Sequence, residues 1–220
     1  MPTAASTRGR PRRRAPVRLD ANESPFGTSA AVRTAWERQR TADIRKYGLN
    51  RYPDFFNTDL LAALAAHHGL SDTNFTVLAN LGEGGTVLAA ALLRARGAEL
   101  VEPWPITDLI SRPGRAWGAA VRRVPFGPRR RSLAGLATAV GPRTRLVHVQ
   151  NPHDPTGASF GQAELRGLLD AVAKRNPKAY VWVDESYAPY SRRRGPSRAR
   201  RSAGHRRTHS PRAPARWRAG

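Results

Sequence analysis

NPHDPTG at Asn151 to Gly157, followed by VWVDESYAPY at Val181 to Tyr190, decides the fold of this 220-residue chain. Between the two lies QAELRGLLDAVAKR, Gln162 to Arg175, whose apolar residues Ala163, Leu165, Leu168, Leu169, Ala171 and Val172 recur near the helical period and predict a helix. Short apolar runs flank it, LVHV at Leu146 to Val149 and YVWV at Tyr180 to Val183, and both read as strands. Strand, loop, helix and strand make a βαβ unit. Its strands must be parallel and its crossover right-handed, which puts Asn151 to Gly157 and Asp184 at the same carboxyl-terminal edge of one sheet. Ligands of open α/β sheets bind along that edge.

The residues predicted there share a chemical logic. A carboxylate at the end of a buried strand, Asp184, is costly unless a cation meets it, and a protonated pyridine nitrogen is such a partner. Tyr187, three residues on, offers a phenol to a neighbouring oxygen, and the prolines and glycine of NPHDPTG fix a turn that presents polar groups to the same edge. A charge partner for a ring nitrogen, donors for a ring phenolate and a cradle for a phosphate are the needs of pyridoxal phosphate.

Four blocks in order carry a resemblance to a known family: RLDANESPFG at Arg18 to Gly27, RYPD at Arg51 to Asp54, NPHDPTG, and VDESY at Val183 to Tyr187. The chain resembles a fold-type I pyridoxal-phosphate aminotransferase, most closely the histidinol-phosphate aminotransferase group. The resemblance runs over roughly residues 18–190 and implies an α/β fold, part of that family's large domain, with a mostly parallel sheet flanked by helices and the small domain absent. It implies that Asp184 pairs with the pyridinium nitrogen, that Tyr187 bonds the ring oxygen, that Tyr52 reaches the cofactor phosphate of a neighbouring subunit in a homodimer, and that Asn22 lies near the substrate. The strand-like FTVLA, Phe75 to Ala79, the glycine-rich ANLGEGGT, Asn80 to Thr86, and the apolar helix VLAAALLRA, Val87 to Ala95, follow one another. Backbone N–H groups at that helix start, among Gly82, Glu83, Gly84 and Thr86, would hold the phosphate.

Departures from the family pattern accompany these matches. The residue before PTG is normally an asparagine whose amide donates to the ring phenolate; here it is Asp154, whose carboxylate only accepts unless protonated. No small hydroxyl residue is evident in LGEGG, which leaves Thr86 for that role, and the aromatic residue that stacks on the ring falls to Trp104 after Glu102-Pro103. The family holds its cofactor as a Schiff base on a lysine a few tens of residues beyond the aspartate strand. This chain has lysine only at Lys46, Lys174 and Lys178, all before Asp184, so the cofactor is expected to bind weakly and noncovalently.

After Tyr190 the composition changes abruptly. Residues 191–220 hold eleven arginines, no acid and almost no aliphatic side chain, so they are expected to be disordered. That composition is what GC-rich coding DNA yields in a shifted frame, an evolved basic tail being the other reading. Of the net charge of +22, residues 1–17 supply five arginines and the tail eleven, with no acid in either, which leaves +6 for residues 18–190. The basicity therefore belongs to the ends, and predicts at most nonspecific, phosphate-directed nucleic-acid binding. Cysteine is absent, the six histidines show no metal-ligand spacing, and no run is long enough to span a membrane, which together predict a cytoplasmic protein without a metal site.

Three functions follow as expectations. One is a transaminase moving an amino group between an amino acid or amino-phosphate and a 2-oxo acid, with its lysine supplied elsewhere. Another is a non-catalytic remnant of that enzyme, and the third is a basic nucleic-acid-binding protein that uses the α/β domain as a scaffold.

Overall fold

The computed structural model describes residues 22–24, 26–127 and 133–191. The expectations for residues 1–17 and for the tail from residue 192 lie outside them. The chain divides into two compact units, residues 1–58 and 59–220.

In the first unit, α1 (Ala30–Tyr47) opens at Ser29, whose Oγ accepts from Val32 N at 3.3 Å, and it ends where Gly48 N donates to Ile44 O at 2.9 Å. Gly48 has φ +73°, a conformation that a residue without Cβ adopts freely. Further on, both oxygens of Asp54 accept backbone donors, Phe56 N at 2.9 Å and Thr58 N at 2.7 Å, so they cap the start of α2 (Thr58–His68). Those hydrogen bonds, Thr58 first, hold the Asp54 carboxyl below its usual range.

The second unit is a four-stranded, wholly parallel sheet of β1 (Glu99–Trp104), β2 (Ala120–Pro125), β3 (Thr144–Gln150) and β4 (Tyr180–Asp184), in the order β2-β1-β3-β4. Its helices are α2, all but its first residue, with α3 (Leu81–Leu92), α4 (Ser111–Ala116), α5 (Ala134–Ala139) and α6 (Gln162–Arg175). The predicted βαβ unit is present: α6 has the bounds read from the sequence, and Leu146 to Gln150 pair with Tyr180 to Asp184 in parallel.

Alternation along the strands separates two cores. Val101, Val147 and Val149 join Leu136, Leu165, Leu168 and Val172 under α5 and α6. Leu100 and Leu146 point the other way, to Ala89, Leu93, Ile110 and Ala119 beside α3 and α4. From β1 to β2 the chain moves one way with α4 on one face, and from β2 through β3 to β4 it moves the other way with α5 and α6 on the opposite face. All three crossovers therefore share one hand, as packing of twisted strands requires. The direction reverses between β1 and β3, so the carboxyl ends of those strands flank a topological switch point.

One expected element differs. Phe75 to Ala79 is not a strand; these residues make no ladder among the described residues, and the helix begins earlier than its apolar run, at Leu81. The cause is a reciprocal cap: Asn80 Oδ1 accepts from Glu83 N at 2.9 Å while Glu83 Oε2 accepts from Ala79 N at 2.6 Å. That cap outweighs the poor helix propensity of three glycines in the first turns.

Candidate functional site

α3 runs back against the strands. Its far end, Leu93, lies in the core with Leu100 and Ala119 near the strand starts. At its beginning, a Cβ on Gly84 would meet the Trp182 ring at 3.2 Å and Leu78 at 3.1 Å, and one on Gly85 would meet the Leu109 carbonyl oxygen at 2.5 Å. The first turn of α3 thus stands against the Trp182 ring of β4 and against Leu109 in the loop after β1, which places it at the carboxyl-terminal edge of the sheet. Close approach explains Gly84 and Gly85, whereas Gly82 would touch only the Asn80 side chain within 3.4 Å. Thr86 is exposed and its hydroxyl donates to Gly82 O at 3.0 Å, within its own helix.

Asp184 ends β4 and is buried, 5% exposed. Its Oδ1 accepts from Ser186 N at 2.9 Å and Ser186 Oγ at 2.7 Å, and its Oδ2 from Gln150 Nε2 at 3.1 Å. These donors are neutral, so the carboxylate is oriented without being neutralised. Behind it on β3, His148 is 1% exposed with its ring 6.2 Å from that of Trp182, and its Nδ1 has no hydrogen-bond partner among the described residues. Burial pushes the His148 imidazole down to about 4, against the opposing pull of Asp184. A neutral imidazole therefore backs the carboxylate at neutral pH.

The NPHDPTG turn is closed by its own side chains. Asn151 Oδ1 accepts from Phe160 N at 2.8 Å and its Nδ2 donates to Phe160 O at 3.1 Å, while Asn151 N donates to Asp184 O at 2.8 Å. His153 is buried against Phe126, ring centroids 4.6 Å apart, and its Nδ1 lies 2.9 Å from Thr156 Oγ1. Asp154, half-buried, joins the edge through its backbone, its N donating to Gln150 Oε1 at 3.3 Å. Tyr187 is half-buried just beyond β4, with its ring centroid 6.5 Å from that of Tyr190.

At the end of β1, Trp104 is 44% exposed and the Arg123 guanidinium covers one ring face, Cζ 3.7 Å from the centroid. Arg123 Nε also donates at 3.2 Å to Oε1 of Glu102, which is fully buried. Burial raises the Glu102 carboxyl above its usual range, and Arg123 opposes this.

Asp184, Tyr187 just beyond it, Asp154, Trp104 and the α3 start thus come to one edge of one sheet. The first unit carries the remaining two predicted residues: Tyr52 is exposed with its ring 5.1 Å from that of Phe55, and Asn22 is exposed with φ +54°. Lys174 and Lys178 lie at the opposite, amino-terminal edge, where Asn176 between them donates to Gly141 O and Thr144 O at 2.9 Å. Among the described residues no group of three His, Cys, Asp or Glu could hold a metal, and no helix is long and apolar enough to cross a membrane.

Sequence reasoning passed over Gln150, His148 and Arg123. A polar residue closing a β-branched run just before a proline turn was the available signal for Gln150. His148 sat inside that run without a visible partner, and Arg123 is matched to its neighbours only by sheet register.

A buried Asp184 at the end of a parallel strand and a glycine-containing helix start at the same sheet edge recur in known proteins. The family model for aminotransferase class I and II matches residues 14–202. An aromatic amino acid aminotransferase of Thermobifida fusca is 36% identical over 79% of this chain and 46% of its own length. A histidinol-phosphate aminotransferase of Moorella thermoacetica is 34% identical over 79% of this chain and 42% of its own. The histidinol-phosphate aminotransferase of Sinorhizobium meliloti, solved in complex with pyridoxal-5'-phosphate, superposes with a TM-score of 0.65 at 26% identity, covering 76% of this chain and 43% of that one. The chain spans a little under half the length of the curated relatives it matches. A match across most of the chain, with the sheet and edge found where the motifs required them, makes this chain a member of the class I and II aminotransferase family.

Proposed function

We propose that residues 18–190 form the cofactor-binding part of a pyridoxal-phosphate-dependent transaminase of the histidinol-phosphate type. The observation that carries the proposal is the buried carboxylate of Asp184, fixed by neutral donors at the same sheet edge as the start of α3. The donor set fits the ring side of the cofactor: Asp184 would face a protonated ring nitrogen, Tyr187 would serve the ring oxygen, and Trp104 would supply an aromatic face. The phosphate would lie at the Gly82 end of α3, since Glu83 N and Gly84 N already bond Asn80 and the Thr86 hydroxyl bonds Gly82 O. When bound, the cofactor supplies an electron sink.

Two residues temper the fit. Glu83 places a carboxylate at the helix start, where it already bonds Ala79 N, so it competes electrostatically with a phosphate. Asp154 cannot donate unless protonated. With Lys174 and Lys178 at the far edge, these 220 residues hold the cofactor weakly and noncovalently, and the lysine that moves the proton comes from outside them. Without it the chain is a non-catalytic form of the enzyme. Tyr52 and Asn22 keep, as proposals, the roles in a homodimer and near the substrate that the resemblance implies.

The relatives act on aromatic amino acids or histidinol phosphate by name, and we propose an amino acid or amino-phosphate and a 2-oxo acid as substrates here. A cytoplasmic location and merely nonspecific nucleic-acid binding belong to the same reading. The test is incubation with pyridoxal phosphate, then borohydride reduction and peptide mass analysis. Saturable, reversible quenching of tryptophan fluorescence without a stoichiometric reduced adduct is expected; a stoichiometric adduct on Lys174 or Lys178 that supports turnover contradicts it.

A further inference from the structure

Gln150 closes β3 with 3% exposure. A buried primary amide is tolerated when its hydrogen-bonding groups are met, and this one is met on three sides. Nε2 donates to Thr107 Oγ1 at 2.8 Å and to Asp184 Oδ2 at 3.1 Å, and Oε1 accepts from Asp154 N at 3.3 Å. Thr107 belongs to the loop after β1, Asp184 to the end of β4, and Asp154 to the loop after β3. One side chain therefore ties together three of the segments that form the carboxyl edge.

Its effect on Asp184 is directional. Oδ1 is held by Ser186 N and Oγ and Oδ2 by Gln150, so rotation of the carboxylate breaks bonds at one oxygen or the other. A carboxylate has about four acceptor directions. Three are filled here, and roughly one is left for an incoming donor. The donors are neutral, so they fix orientation while leaving the negative charge in need of a cation; a lysine or arginine in place of Gln150 would satisfy both and leave little for a ligand.

We infer that Gln150 is a positioning residue, which aims the Asp184 carboxylate at a protonated aromatic nitrogen and couples that aim to the loops bearing Thr107 and Asp154. The inference rests on the cofactor reading above. It also separates Gln150 from a residue that only ties loops together, because an effect exerted through Asp184 must depend on the ligand's ring nitrogen.

The experiment compares pyridoxal phosphate with an analogue in which carbon replaces the ring nitrogen, each titrated by fluorescence into the full chain and into Gln150→Leu. The wild type is expected to prefer the nitrogen ligand, and Gln150→Leu to lose that preference by about fivefold or more, consistent with the weight of a hydrogen bond to a charged group, while its affinity for the carbon analogue stays within about twofold. An equal loss for both ligands, or an unchanged preference, overturns the inference. Should Gln150→Leu fail to fold, Thr107→Val removes the other acceptor of Nε2 at an exposed position; a smaller fall in the same preference supports the inference, and none overturns it. A wild type with no preference for the nitrogen ligand removes the cofactor reading of Asp184, and this inference with it, an outcome distinct from a variant that keeps the wild-type preference.

Discussion

Arg123 donates through Nε to Oε1 of Glu102 at 3.2 Å, and it is the cation that accompanies a carboxylate with no exposure at all. Removing one partner of a buried pair leaves an uncompensated charge, which costs several kcal/mol when the pair is fully sealed. The Arg123 side chain is 34% exposed, so solvent screening reduces the figure. Arg123→Ala is expected to lower unfolding free energy at pH 7 by about 2 kcal/mol in urea titrations. The sign of the pH dependence follows from Glu102, whose carboxyl burial raises. Loss of Arg123 raises it further, so the penalty should shrink as pH falls toward the ordinary glutamate range and the group is protonated. A penalty independent of pH would assign the loss to the stacking on Trp104 instead.

His148 gives the opposite kind of titration. Its imidazole has an ordinary value of 6.5 and is held at about 4 in the fold. The unfolded chain therefore binds the extra proton between those values and the native chain does not, so stability is full above pH 6.5 and declines as pH falls toward 4. The contribution at stake is about 3 kcal/mol at most. Asp184 and His153 both act on this site, the first favouring the charged ring and the second opposing it. His148→Leu should flatten the decline between pH 6.5 and 4 in denaturant midpoints; an unchanged slope would mean that other groups dominate acid sensitivity.

The glycines of α3 should separate by position. Alanine is favoured over glycine in a helix by about 1 kcal/mol; at Gly82 the added Cβ presses at 3.1 Å on Asn80 Oδ1, the cap acceptor for Glu83 N, and a weakened cap costs about as much, so Gly82→Ala is expected to be near neutral. At Gly85 the Cβ would meet a backbone oxygen at 2.5 Å, and overpacking of about 1–3 kcal/mol exceeds the propensity gain. Thermal midpoints should thus fall for Gly85→Ala and hold for Gly82→Ala.

The part of the fold legible in the sequence was the part with regular period. Gln162 to Arg175 alternates apolar and polar faces at helical spacing, and its bounds follow. Phe75 to Ala79 has strand composition but lies exposed apart from Phe75, and composition without a neighbouring edge does not make a ladder. The helix start at Leu81 was obscured because a cap between Asn80 and Glu83, rather than propensity, sets it. At the site, Asp184 was legible from its place after VWV, whereas Gln150 draws its importance from three partners far apart in sequence, which only the sheet register brings together.

The loop after β3 can be tested through Asn151. Both of its amide groups replace backbone partners for Phe160, at 2.8 and 3.1 Å, in a buried setting. Asn151→Ala strands a buried N–H and a buried C=O, at about 1–3 kcal/mol for each group left unmet. The expected result is a lower thermal midpoint together with faster hydrogen exchange at residues 152–160; unchanged exchange would mean that the prolines alone hold the turn.

If Asp184 is the charge partner of a bound pyridoxal phosphate ring, removing its charge must weaken the cofactor's binding. This is tested most directly by titrating the cofactor into the full chain and into Asp184→Asn, followed by fluorescence quenching, with inorganic phosphate as competitor. Asparagine keeps the shape and removes the charge, and a hydrogen bond to a charged group is worth about 1.5–3 kcal/mol. Saturable binding to the wild type is expected, weakening by about tenfold or more in Asp184→Asn, with phosphate competing equally well in both. Equal affinity of the two proteins for pyridoxal phosphate would contradict it.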